Sequence, residues 1–208
     1  MKIENIKVYG WENAITEMRK SIGDPQVMYS TIMYDISGHI SVDLCDKDLA
    51  LIKTIGKDFF DLIYVFANIN MPISWWKDSQ SPISNILYNI LSKGELTKKD
   101  FSPYEDFEAL NSVIDFINTL LIKIREIKSL PQPERDANEI KKLYNIIIDI
   151  LPSCYLYEKV ICINYNTLLS ILKTDRDSFR NEWKFFKDIM FNTVPYLEEI
   201  YKGEQNEN

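Results

Sequence analysis

One histidine, His39, is all that the 208-residue chain contains, and its three cysteines, Cys45, Cys154 and Cys162, show no C-x-x-C spacing. Zinc sites draw on clustered His and Cys ligands, so no metal centre is expected. A catalytic triad built on histidine would rest on His39 alone, and no serine or cysteine pairs with it by pattern. No apolar run reaches the ~18 residues of a membrane span, and the N-terminus has no signal-peptide core. An odd set of scattered thiols fits a reducing, cytoplasmic setting. An excess of positive charge is also missing. The net charge is −7 and the isoelectric point about 4.9, whereas nucleic-acid binding needs a basic face. Lys98-Lys99, the nearest approach to a basic cluster, is followed at once by Asp100. Nucleic acid and membrane are therefore excluded as default partners.

Apolar residues make up 46% of the chain and charged residues 26%, the balance of a globular protein with a substantial core. "KIENIKVYG" reads as an opening strand ending at Gly10. Trp11, Ala14, Ile15 and Met18 then recur at helical spacing up to Gly23-Asp24-Pro25. Residues from about 26 to 45 carry no clear period. "DKDLALIKTIG" predicts a short helix capped by Asp46 and ending near Gly56. "FFDLIYVFANI" is compatible with a buried strand or a buried helix, and its period does not decide.

From Ile73 to Lys93 the pattern is helical but broken at Pro82, with an apolar stripe of Ile86, Leu87, Ile90 and Leu91. The strongest signal lies at about residues 104 to 130, where Phe107, Leu110, Ile114, Ile117, Leu121 and Ile124 step by three and four. A further helix starts near Pro133 and ends at Pro152. "YEKVICINY" predicts a strand, followed by helices through Leu168, Leu169 and Leu172 and through "DSFRNEWKFFKDIM". The expected architecture is one helix-rich α+β domain over residues 1–208, closing in a polar tail at about 203–208.

Trp75 and Trp76 are adjacent. Neighbouring helical residues point about 100° apart, so one ring is expected in the core and the other is left to meet something outside it. A core residue plus a partly exposed one, a subunit interface and a platform for a base are the alternatives.

"SWWKDSQSPISNILYNILS" and "LPSCYLYEKVICINYNTLLSILKTDRDSFRNEW" together resemble the flavin-dependent thymidylate synthases, and also a group of small bacterial and phage proteins with W-W-K-E, L-P-S-S-Y and N-Y in the same order. The resemblance runs from about residue 58 onward. It implies the α+β fold of that family, assembly as a homo-oligomer, and a site for flavin and deoxyuridine monophosphate. The family signature is Arg-His-Arg, seven residues, then Ser, with Asn three before the Ser. Ser92 and Asn89 match that Ser and Asn, but Arg-His-Arg falls on Pro82, Ile83 and Ser84. Asn164 matches an Asn that follows a late strand. An expected Arg falls on Asp175, with Arg176 one position out of step, and an expected Gln falls on Asn181. Gly38-His39-Ile40-Ser41 has the family's Gly-His-x-Ser form but lies too far upstream, and is read as coincidence.

The resemblance therefore implies a nucleotide site reduced to Ser84, Asn89, Ser92, Asn164 and Arg176, with Trp75 and Trp76 near the subunit contacts. Each of the five has the ordinary alternative of capping a helix or bonding locally. Each charge-assisted bond to phosphate is worth roughly 1.5–3 kcal/mol. Losing two or three removes on the order of 4–6 kcal/mol, or about 10³- to 10⁴-fold in affinity. No flavin cofactor and no catalytic residue is expected to survive, leaving at most weak binding of a pyrimidine nucleotide. Two other readings stand beside this one. The first is an acidic, phage- or prophage-type inhibitor that binds a host protein through the same scaffold. The second is an enzyme of another kind using Asp43, Asp46, Asp48 or Glu182, although no spacing among these singles out a pair.

Overall fold

The computed structural model describes residues 1–23, 31–35, 40–79, 86–102, 108–173 and 181–206. In chain order the elements are β1 (Lys2–Tyr9), α1 (Trp11–Ser21), β2 (Thr31–Tyr34), β3 (Ile40–Asp43), α2 (Asp46–Ile55), β4 (Tyr64–Pro72), α3 (Ile73–Asp78), α4 (Ile86–Lys93), α5 (Glu108–Ser129), α6 (Ala137–Ile150), β5 (Leu156–Asn164), α7 (Tyr165–Lys173), α8 (Asn181–Thr193) and α9 (Leu197–Asn206). Three strands form a sheet in the order β1-β4-β5, and β2 and β3 form an antiparallel pair with Thr31 opposite Asp43 and Tyr34 opposite Ile40. This is the helix-rich α+β class expected from the sequence.

The residues cluster into two compact units. One comprises Asn70–Glu158 with Met1, and the other Lys2–Ile69 with Lys159–Asn208. The dividing line falls inside β4 and β5.

In the Lys2–Ile69 and Lys159–Asn208 unit, α1 buries Trp11, Ala14, Ile15 and Met18, the four residues whose spacing predicts it. Trp11 meets Tyr165 edge-on, with ring centroids 5.5 Å apart, and the Tyr165 hydroxyl donates to the Pro195 carbonyl at 2.6 Å. Gly10 adopts φ +97°, and a Cβ there would lie 1.9 Å from the Leu62 carbonyl oxygen. Only glycine tolerates both the backbone conformation and the contact. "FFDLIYVFANI" resolves into a tight turn and then β4, whose residues alternate between buried Val65, Ala67 and Ile69 and outward Tyr64 and Phe66.

The Asn70–Glu158 unit is built on the long α5, which buries Ile114, Ile117, Leu120, Leu121 and Ile124. α6 lies against it, with Leu143 and Ile147 buried. Asn118 on α5 brackets Leu96, accepting from its N–H at 2.8 Å and donating to its carbonyl at 2.9 Å. That side chain does for an irregular segment what a strand partner would do.

Several expectations are corrected. The N-cap of α2 is Cys45, in extended backbone, and Asp46 is the first helical residue. Pro133 sits in a separate 3-10 turn, Gln132–Glu134. α6 is instead capped by Asp136, whose carboxylate accepts from the N–H groups of Asn138 and Glu139. The polar tail is helical as far as Asn206. Phe107 lies outside the described residues, and so does His39.

Candidate functional site

Trp75 and Trp76 are both buried, at 3% and 0% exposure. Both rings are enclosed by this chain, which corrects the expectation that one would be left exposed. The reason is local. α3 is six residues long and starts directly after the buried end of β4, so Ile73, Trp75 and Trp76 are all enclosed. The two rings pack edge-to-face at 5.0 Å and 83°, the arrangement that the ring quadrupoles favour. The Trp76 indole N–H donates to the Tyr157 carbonyl at 3.0 Å.

Asn89 and Ser92 lie on α4 in the Asn70–Glu158 unit. The Ser92 hydroxyl donates to the Asn89 backbone carbonyl at 2.8 Å. The Asn89 side-chain oxygen accepts from the Tyr155 hydroxyl at 2.7 Å. Lys93 stands 5.3 Å from the centroid of the Tyr155 ring, and its ammonium pairs with Asp100 at 2.6 Å. Burial raises the Tyr155 pKa, and the Asp100 carboxylate raises it further. Burial also acts to raise the Asp100 pKa, but hydrogen bonds from Lys93 and Thr97 and the charge of Lys93 leave it below the ordinary value. The cluster thus holds one cation and one anion, paired to each other, and its phenol stays neutral across the physiological range. It offers hydrogen bonds without net charge.

Asn164 belongs to the other unit. Its amide donates to Asp61 at 2.7 Å and its oxygen accepts from the Thr167 N–H at 2.8 Å, capping α7. Asn166 donates to the same Asp61 oxygen at 3.0 Å. Ser84 and Arg176 lie outside the described residues, as do Pro82, Ile83 and Asp175. Among the described matched residues, Asn89 and Ser92 share a helix, and neither they nor Asn164 carries charge.

Of the carboxylates considered for other chemistry, Asp48 is 2% exposed and is engaged by Arg19. Arg19 Nε donates to Oδ1 at 2.8 Å and its terminal nitrogen donates to Oδ2. That bidentate pair locks α1 to α2 and is structural. Among the described residues, no group of three or more His, Cys, Asp or Glu side chains could hold a metal ion. No described helix is long and apolar enough to cross a membrane.

A cavity of about 410 Å³ lies in the Lys2–Ile69 and Lys159–Asn208 unit, between the C-terminal end of α2, the Gly56–Asp58 turn, the end of α7, and α9. Lys53, Lys57 and Lys173 line it. Sequence reasoning missed these residues because nothing in the spacing of lysines so far apart marks them as neighbours.

No family model matches the chain, and no curated protein matches it. Solved structures do, two of them from Helicobacter pylori. One is the crystal structure of thymidylate synthase X (ThyX) from Helicobacter pylori with FAD and dUMP at 2.31 Å, with a TM-score of 0.63 and 16% identity, covering 97% of this chain and 100% of that one. The other is the flavin-dependent thymidylate synthase ThyX from Helicobacter pylori complexed with FAD and dUMP, with a TM-score of 0.59 and 16% identity, covering 99% of each chain. At that identity the likeness speaks for architecture, and it extends over nearly the whole chain: this protein has the fold of the flavin-dependent thymidylate synthases.

Proposed function

We propose that the protein is a catalytically degenerate relative of the flavin-dependent thymidylate synthases, which assembles as a homo-oligomer and holds at most a pyrimidine nucleotide, weakly. One observation carries the reading. The fold spans 97% of the chain, while the residues matched to the signature supply no cation. Pro82, Ile83 and Ser84 stand where Arg-His-Arg is expected, the Asn89 side-chain oxygen accepts from Tyr155, and the Ser92 hydroxyl donates to its own helix. A bound flavin supplies hydride and one-carbon chemistry. The signature positions do not fit its pyrophosphate, because uncharged side chains cannot repay the desolvation of two negative charges. The three cysteines are unbridged, which supports a cytoplasmic setting.

Support for assembly comes from an exposed aromatic face. Tyr9, Tyr34, Tyr64 and Phe66 are between 36% and 44% exposed, and Val160 is 67% exposed. Tyr9 stacks on Tyr34 at 6.0 Å and meets Phe66 edge-on at 5.6 Å. An exposed cluster such as Tyr9, Tyr34 and Phe66 marks a contact site. The same face favours the second reading, an acidic module that binds a foreign protein. Sedimentation of the purified chain separates the two. A mass above the monomer supports self-assembly, and a monomer that captures a partner supports the second reading.

Thermal melts with and without deoxyuridine monophosphate test the nucleotide site. A small upward shift at millimolar ligand is expected, and no shift removes nucleotide binding from the account.

A further inference from the structure

The lysine-lined cavity contains none of the residues matched to the synthase signature, and every residue lining it belongs to one unit. We propose that it binds a small organic dianion with an apolar, aryl-sized body.

The charge pattern is the first argument. Lys53 comes from the last turn of α2, Lys57 from the Gly56–Asp58 turn and Lys173 from the end of α7, and Glu199 is the one carboxylate among the described lining residues. Among the described lining residues, three lysines stand against one carboxylate, in a chain whose net charge is −7. Lysines at helix C-termini also complement the helix dipole, and that accounts for Lys53 and Lys173 taken singly. It does not account for Lys57, which ends no α-helix, or for the convergence of all three on one hollow. Among the described residues neither Lys53 nor Lys57 forms an ion pair. Lys53 and Lys57 carry like charge at one hollow, and an anion seated between them is attracted to both.

The wall of the cavity sets the body of the ligand. Ile52, Phe60 and Ile200, at 3%, 2% and 8% exposure, are core side chains that also line it. An apolar wall beneath a cationic rim suits a molecule with one apolar end and one doubly charged end. The volume falls in the range of small-molecule sites, about 300–1,000 Å³.

Gly203 is the second, independent observation. It lies within α9 and lines the cavity. Glycine is a poor helix former, its φ here is ordinary, and a Cβ at this position would meet nothing within 4 Å. No packing or backbone constraint therefore requires glycine. What its missing side chain leaves is open space at the cavity.

Calorimetric titration of the full-length chain in low-salt, phosphate-free buffer tests the proposal with three probes: phenyl phosphate, inorganic phosphate and phenol. Phenyl phosphate is expected to bind about tenfold or more tightly than either of the others, since only it uses both parts of the site. Lys57→Glu should weaken it about tenfold or more. Gly203→Leu, which fills the hollow without changing charge, should weaken it to a similar degree. Both variants change exposed positions, and unaltered melting in the absence of ligand shows that they fold. The proposal is overturned by any of three results. These are no heat from phenyl phosphate at about 10 mM, binding of inorganic phosphate as tight as that of phenyl phosphate, and binding that survives both substitutions. Each of these leaves the reading of the synthase-like site standing, and a deoxyuridine monophosphate shift that survives Lys57→Glu belongs to that site and not to this cavity.

Discussion

The indole N–H of Trp76 donates to the carbonyl oxygen of Tyr157 at 3.0 Å, fastening α3 to the start of β5. A buried carbonyl that loses its donor costs about 1–3 kcal/mol. Trp76→Phe should therefore lower unfolding stability by about that amount, read as a shift in urea midpoint at constant slope. Truncating Trp75 to Ala should cost about 3–5 kcal/mol through the cavity left behind. If either change instead altered the mass in solution and left the midpoint alone, the two rings would be interface residues after all.

Arg19 and Asp48 form a bidentate pair with side chains 13% and 2% exposed. The guanidinium pKa is raised, chiefly by its hydrogen bond to Asp48. Removing one partner strands a buried charge, so Arg19→Met should destabilise by about 3–5 kcal/mol. The double change Arg19→Met, Asp48→Leu should recover most of that loss, because two apolar groups need no partner. A double variant no better than the single one would contradict the assignment.

Two tyrosines predict the alkaline limit of stability. Burial raises the pKa of Tyr155, with Asp100 adding to it, and burial raises that of Tyr165 well above its ordinary value. A folded pKa above the unfolded one means that their contribution is complete below the unfolded value of about 10 and is lost as pH rises beyond it. Phenolate absorbance followed alongside circular dichroism should show these two ionising only with unfolding. Tyr155→Phe should flatten the fall above about pH 10, and an unchanged slope would count against the effect.

Gly10 should not accept alanine. The added Cβ would meet the Leu62 carbonyl oxygen at 1.9 Å with φ at +97°. Left-handed strain of about 1–3 kcal/mol and overpacking of similar size act together. Gly10→Ala should reduce soluble yield or midpoint sharply, whereas Gly23→Ala, at φ +74° with nothing within 4 Å, should show the strain alone.

The elements that could be read in advance are those whose burial has one period. α1, α5 and the β5-to-α7 segment each bury a single face, and their apolar residues recur accordingly. The β2–β3 pair could not be read, because neither strand buries a face: Thr31–Tyr34 and Ile40–Asp43 contain no buried residue. α9 was hidden because its core contacts, Leu197 and Ile200, precede a stretch with the composition of a tail. The pairing of Asn164 with Asp61 spans 103 positions, and the convergence of Lys53, Lys57 and Lys173 depends on how three elements meet. Neither is a local property of the chain. Adjacent tryptophans suggested one exposed ring because a helix of ordinary length buries a stripe, and a six-residue helix enclosed on several sides does not.

Under the proposed function the scaffold persists and flavin is not held. The most direct measurement is the visible spectrum of the purified protein after incubation with excess FAD and removal of the free cofactor. A colourless protein that still elutes folded is the predicted result. A stoichiometric oxidised-flavin spectrum retained through gel filtration would contradict it.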